Sequence, residues 1–314
     1  MERRTQPLSI SGHYLMLAGM LVFIVLPQPI HAQTPPATPA GDPVIIAAGD
    51  IAACSSPGDE QTAALVENIP GTVLAAGDEA YETGSVADFA NCYAPSWGRF
   101  KSRTRPAPGN HDYVTPYAQP YYDYFGKLAG PPNRGHYSFN LGTWHIISLD
   151  SNVDARVVGA QGQWLRADLQ ADHSTCTLAF WHHPVFSTHP GDTGYSVKQF
   201  WILLYEYSAD VVINGHIHYY ERFAPQSPTG RADPGRGIRE FIVGTGGAFL
   251  APQIKTKGSP DAPNSEVYDN STWGVLKMTL HPGSYDWEFI SVAGKTFHDS
   301  GSASCVKPGP QAVI

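Results

Sequence analysis

Thr72-Val73-Leu74-Ala75-Ala76-Gly77-Asp78-Glu79-Ala80-Tyr81 is an apolar run of strand length that breaks at a glycine and a carboxylate, with a phenol three residues on. Strands buried on both faces read as continuous apolar runs of this kind. The pattern recurs along the chain. Val44-Ile45-Ile46-Ala47-Ala48 runs into Gly49-Asp50, and Arg105-Pro106-Ala107-Pro108 leads to Gly109-Asn110-His111-Asp112. Thr177-Leu178-Ala179-Phe180-Trp181 stops at His182-His183, and Asp210-Val211-Val212-Ile213 reaches Asn214-Gly215-His216-Ile217-His218. Five runs in order thus deliver Asp50, Asp78, Tyr81, Asn110, His182, His216 and His218, seven oxygen and nitrogen donors. That is enough for two adjacent metal ions.

Between the runs the pattern is helical. Asp59 to Asn68 and Ser85 to Cys92 read as helices in the first half, and Gln161 to Gln170 and Val197 to Tyr207 in the second. Tyr137 to Asp150 reads as a hairpin turning at Leu141-Gly142-Thr143. Aromatics crowd Tyr117 to Phe125, which reads as an irregular loop. From Arg239 onward strands dominate: Glu240 to Val243, Gly274 to Leu280 and Tyr285 to Ile290. Donors at the ends of successive strands are what an α/β sheet produces, because strand ends and their loops converge on one edge. The β-rich C-terminal part predicts a second sheet packed on the first.

The 314 residues suffice for one large domain with a sizeable core. Arg3 and Arg4, the apolar Tyr14 to Leu26 and the end at Ile30-His31-Ala32 predict a cleaved signal peptide over 1–32. The apolar run is short of the roughly 20 residues that a membrane span needs, so no stable membrane anchor is expected after cleavage. Residues 33–42 read as a Pro-rich linker, 43–305 as the catalytic domain and 306–314 as a flexible tail. The expected location is secreted or periplasmic.

Cys54, Cys92, Cys176 and Cys305 all lie in the exported part, where an even count favours two disulfides. Three pairings are possible. We favour Cys54–Cys92, which flanks the first two donor loops, and Cys176–Cys305, which ties the last strand to the one leading to His182. No CxxC spacing supports a zinc site instead. The net charge is −8, and removal of residues 1–32 takes away Glu2, Arg3 and Arg4 to leave −9. No basic run exceeds two residues, so no nucleic-acid polymer is expected as partner. An acidic chain that binds phosphate must create its positive potential locally, and metal ions do that.

The donors sort by hardness and charge. Asp50, Asp78 and an ionised Tyr81, with one histidine, suit Fe(III). Asn110, His182 and His216 are neutral and, with a share of Asp78, suit a divalent ion: Fe, Zn or Mn. Asp78 has two oxygens and can bridge. Three ligand charges and a hydroxide leave such a pair net positive and ready for a phosphate.

Gly-Asp at 49–50, Gly-Asp-x-x-Tyr at 77–81, Gly-Asn-His-Asp at 109–112, Trp181-His182-His183-Pro184 and Gly-His-x-His at 215–218 together resemble the calcineurin-like metallophosphoesterases. Tyr81 narrows the resemblance to purple acid phosphatases and their bacterial relatives. It covers most of 44–300, without the fibronectin-like N-terminal domain of the large plant-type enzymes. It implies a four-layer sandwich of two mixed β-sheets flanked by helices. It further implies that Asp50, Asp78, Tyr81 and His218 hold Fe(III), and that Asp78, Asn110, His182 and His216 hold the divalent ion. His111 would stand beside the phosphate as donor or leaving-group acid, with His189 as a second outer histidine. The implied function is hydrolysis of small phosphate monoesters by hydroxide held on the metals. A phosphodiesterase on the same metals and a non-catalytic exported binder of metal or phosphate are the alternatives. The residues leave the oligomeric state and the natural substrate open. One departure is Ile51-Ala52-Ala53-Cys54, where the family has a glycine soon after the aspartate.

Other residues have plainer readings. Adjacent residues at a strand end point opposite ways, so His183 is expected to pack or hydrogen-bond beside the ligand His182. Tyr117, Tyr121, Tyr122 and Tyr124 either wall a substrate pocket or cover the core. Gly244-Thr245-Gly246-Gly247 lacks the lysine of a phosphate loop and reads as a tight turn near the metals.

Overall fold

The computed structural model describes Met1 and residues 41–189, 197–252 and 262–306. The expected leader, most of the linker and the tail at 307–314 lie outside the described residues. Among the described residues the strands form two mixed sheets. The first has the order β13 (His298–Ser304), β12 (Ser284–Ser291), β11 (Gly274–His281), β1 (Val44–Ala48), β2 (Thr72–Ala76), β3 (Thr104–Ala107). In it β1, β2 and β3 are parallel, and β11 to β13 run antiparallel to their neighbours. The second sheet has the order β10 (Ser265–Asp269), β8 (Tyr220–Phe223), β9 (Arg239–Val243), β7 (Val211–Asn214), β6 (Cys176–Phe180), β5 (Trp144–Ser148), β4 (Tyr137–Leu141). Its parallel centre is β5, β6, β7 and β9.

The alternation of side chains along the strands builds the layers. Ile146, Leu178 and Ile213 of the second sheet join Ile45, Leu74 and Leu276 of the first in one buried cluster. Their chain neighbours Ile147, Ala179 and Val212 point the other way, onto Leu165 of α4 (Ala160–Ala171) and Phe200, Trp201 and Leu204 of α5 (Lys198–Glu206). Ala63 and Val66 of α1 (Gly58–Glu67) are buried in the larger cluster with β11 residues. The result is the expected sandwich of two mixed sheets flanked by helices. Its short central strands are buried on both sides, which is why they read as uninterrupted apolar runs.

The hairpin of β4 and β5 turns at Gly142, whose φ of 61° is open to glycine without strain. Two local expectations change. Gln119–Phe125 is not an irregular loop but a helix, α3, with Pro120 in its first turn. Tyr121, Tyr122 and Phe125 are buried in the core, whereas Tyr117 is 84% exposed, so burial rather than a pocket accounts for the inner tyrosines. Ser85 caps only a short helix, α2 (Val86–Asp88), which continues as a π-helical turn over Phe89–Tyr93. Both favoured disulfides are present, Cys54–Cys92 with Cα atoms 5.0 Å apart and Cys176–Cys305 at 5.7 Å. The second joins the start of β6 to the residue after β13, and so one sheet to the other.

Candidate metal centre

Loops at the C-terminal ends of β1, β2, β3, β6 and β7 bring the seven donors into two overlapping groups. In the first, Tyr81 Oη lies 2.8 Å from Asp50 Oδ1, 3.0 Å from Asp78 Oδ2 and 3.1 Å from His218 Nε2. His218 Nε2 is in turn 3.2 Å from Asp50 Oδ1. In the second, His182 Nε2 lies 3.1 Å from both Asp78 Oδ2 and Asn110 Oδ1. His216 Nδ1 lies 3.0 Å from Asn110 Oδ1 and 3.3 Å from His182 Nε2. Asp78 Oδ2 belongs to both groups. Ligands bound at about 2.1 Å and at right angles around one ion stand about 3 Å apart, the spacing seen in each group.

The charges also call for cations. Asp50, Asp78, Tyr81 and His182 are all buried. Burial alone would raise the two carboxyls, yet His218 beside Asp50 and His182 beside Asp78 hold both below the ordinary range. Burial likewise opposes a charged His182, but Asp78 lifts it to about 9. Burial, Asp50 and Asp78 push the Tyr81 phenol well above its usual value, so a phenolate can exist there only with a cation beside it. The protonated imidazoles occupy the positions from which bound metal ions would balance the carboxylates.

The chain orients each donor from behind. His182 Nδ1 donates to Ala76 O at 2.9 Å and His218 Nδ1 to Phe249 O at 2.6 Å, leaving Nε2 of each for the donor group. The backbone N–H of His111 holds Asp78 Oδ1 at 2.8 Å, and that of His216 holds Asp50 Oδ2 at 2.7 Å. Asp50, Asp78 and His216 all take left-handed backbone, with φ of 58°, 54° and 72°. The glycine before Asn110 is there for close approach: a Cβ on Gly109 would sit 2.0 Å from Asp78 Oδ1. At Gly77 a Cβ would strike the His182 ring at 2.5 Å, and φ is +86°. The Gly244–Gly247 turn does lie beside the site, with Gly246 N donating to Gly49 O and Ala248 N to Asp50 O.

The family model for calcineurin-like phosphoesterases matches residues 40–220, more than half of the chain. This chain belongs to that family. Within it, purple acid phosphatase 15 of Arabidopsis thaliana is 29% identical over 195 residues, covering 50% of this chain and 37% of the relative. Purple acid phosphatase 22 of the same plant is 32% identical over 142 residues, or 43% of this chain and 32% of the relative. The chain thus spans only about a third of the length of these relatives. Among solved structures, purple acid phosphatase PPD1 from yellow lupin (Lupinus luteus) seeds superposes with a TM-score of 0.68 at 18% identity, covering 84% of this chain and 54% of that one. At that identity the likeness speaks for the fold alone. As a calcineurin-like phosphoesterase with purple acid phosphatase relatives, the chain has a family that implies a dinuclear metal site, and its donor set fits one.

Around the donors, His111 Nδ1 donates to Glu82 O at 2.6 Å, which turns Nε2 to within 4.0 Å of Asp78 Oδ2. Its ring lies 4.3 Å, centre to centre, from that of Tyr81. His183 hydrogen-bonds Ser151 Oγ at 2.8 Å through Nδ1, and burial with His182 and His216 nearby lowers it to about 3, so it is neutral. His189 is tied through its backbone: its N–H donates to Ser187 Oγ at 2.8 Å, and that hydroxyl meets Tyr219 Oη. Unlike the other site residues, His189 is not linked to either donor group by these bonds.

Some supporting residues went unassigned in the sequence. Asp112 Oδ2 accepts the N–H groups of Asp78 and Gly109, and its signal was its place at the end of Gly-Asn-His-Asp. Glu79, fully buried, has a carboxyl pushed well above its ordinary value by burial and by Asp112, and so stays neutral. Gln161 of α4 brackets Asp150 through both its backbone N–H and its C=O. Nothing in the sequence pointed to the Phe249 carbonyl.

Proposed function

We propose that this chain is an exported phosphoesterase with two metal ions, Fe(III) and a divalent Fe, Zn or Mn, that hydrolyses small phosphate monoesters. The observation that carries the reading is the position of Asp78 Oδ2, 3.0 Å from Tyr81 Oη and 3.1 Å from His182 Nε2. One oxygen at the junction of an anionic and a neutral donor group is what a mixed-charge metal pair needs. When bound, the pair supplies Lewis acidity toward phosphate oxygens and lowers the pKa of water.

The remaining steps fall to the chain. Asp50, Asp78, Tyr81 and His218 would hold the trivalent ion, and Asp78, Asn110, His182 and His216 the divalent one. His111 is partly exposed, and its bond to Glu82 O fixes the ring with Nε2 turned toward the site. In this reading Nε2 carries the proton that the departing alkoxide takes. His189, the second outer histidine, would act through its own loop. Export is supported by the two disulfides and the leader-like residues 1–32. Among the described residues, no helix is long and apolar enough to cross a membrane. The catalytic unit would be 43–305, with no nucleic-acid polymer as partner.

The test is hydrolysis of an aryl phosphate monoester against the matching diester, across pH, with and without chelator. Chelator-sensitive monoester turnover with an acidic optimum is expected. Diester preference would keep the site and change the function, and no turnover with two metals bound would overturn the reading.

A further inference from the structure

The loop that leaves β5 runs from the metal centre into a cavity. Ser151 bonds His183, whose ring lies 4.3 Å, centre to centre, from that of His216. Asn152 Nδ2 donates to Pro108 O at 3.0 Å, two residues before Asn110. The next residue, Val153, begins the lining of a cavity of about 640 Å³, walled by Ala155, Val157 and Val158. Its charged residues, Asp154 and Arg156, neutralise each other through bonds of 2.7 and 2.8 Å. The cavity is therefore apolar and without net charge, and its size is that of a site for an organic molecule.

Exposed apolar residues concentrate on the same edge. Apart from Met1, the large hydrophobic side chains exposed among the described residues are Val86, Val114, Tyr117, Val153, Val158 and Phe249. They sit on the segments that follow β2, β3, β5 and β9, the strands whose C-terminal ends face the donors. Apolar surface gathered at one functional edge marks a contact site.

We propose that this cavity receives the organic part of the ester, so that the preferred substrates are phosphate monoesters of aryl or extended apolar alcohols rather than of sugars or nucleosides. The proposal rests on the phosphoesterase reading for the phosphate end alone. A sugar would leave its hydroxyls unpaired against Val153, Val157 and Val158, whereas a naphthyl-sized group gains contact with them. The paired Asp154 and Arg156 offer no charge to select an ionised leaving group.

The experiment uses the metal-loaded protein and two variants, Val153→Asp and Val158→Asp, whose side chains are 41% and 73% exposed and whose thermal midpoints should match the parent. The first readout is fluorescence titration with 1-naphthalenemethanol, which carries neither phosphate nor phenol. Saturable binding is expected in the parent and a loss of about tenfold or more in each variant. The second is KM for 1-naphthyl phosphate, expected to rise about tenfold, against KM for ethyl phosphate, expected not to move. Absence of binding in the parent, or equal KM changes for both esters, overturns the proposal. Binding lost in the variants with no ester turned over by the parent upholds the cavity and overturns the phosphoesterase reading instead.

Discussion

Asp112 holds the backbone of Asp78: its Oδ2 accepts the Asp78 N–H at 3.1 Å and, from the same oxygen, the Gly109 N–H at 2.8 Å. One buried carboxylate thereby fixes both the shared donor and the loop that presents Asn110. In Asp112→Asn an amide that turns its NH2 toward these two N–H groups repels them, and one that turns its oxygen keeps weaker, neutral bonds. Metal affinity should fall about 10–100-fold, the usual cost of losing a partner behind a ligand. Metal content after dialysis against graded chelator measures it, and an unchanged profile would remove Asp112 from the support of the site.

Tyr81 should colour the protein. A phenolate on Fe(III) absorbs visible light, so the purified protein should be violet or pink, and Tyr81→Phe should lose the band while Asp50, Asp78 and His218 stay in place. A visible spectrum before and after substitution, with metal analysis, is the check. A colourless parent carrying iron and a second metal, and active, would sink the assignment of Tyr81.

His111→Ala should discriminate between leaving groups. If Nε2 protonates the departing alkoxide, an alkyl phosphate should slow by about 10²–10⁴-fold and a nitrophenyl phosphate far less. Equal losses on the two esters would assign His111 to binding rather than to proton transfer.

Asp210 lends stability a pH dependence away from the metals. Its carboxyl is buried beside Cys176–Cys305, accepts the N–H groups of Thr177 and Val306, and is raised by burial from 3.8 to about 7. Because the folded pKa lies above the unfolded one, its stability is full below about pH 3.8 and is lost as pH rises toward 7. At about 1.4 kcal/mol per pH unit over that window the loss is on the order of 3–4 kcal/mol. Asp210→Asn cannot ionise, so its deficit against the parent should shrink by that order between pH 4 and 8. Urea midpoints at the two pH values decide it, and parallel curves would refute it.

The apolar runs made the fold legible because their strands are buried on both faces, so Val44 to Ala48 or Thr72 to Ala76 had no competing period. The donors were legible because each stands one or a few residues past such a run. The α3 segment was not. Its aromatics lie on a short helix that packs into the core, and Gln119-Pro120-Tyr121-Tyr122 shows no helical period in seven residues. Asp112 and Glu79 escaped assignment because a buried acid behind a ligand looks, in sequence, like the ligand beside it. The cavity at 153–158 arises from loop shape, which no spacing of residues encodes.

The left-handed backbone at Asp50, Asp78 and His216 has a consequence for how ions arrive. Those turns are imposed by the strands and the glycine contacts behind them, so their ordering entropy falls on folding of the sandwich and not on capture of an ion. Uptake is then the filling of a finished socket. It differs from a zinc finger, where the chain folds around its metal, and a chelated sample should keep its sheets, its melting cooperativity and its readiness to be reloaded.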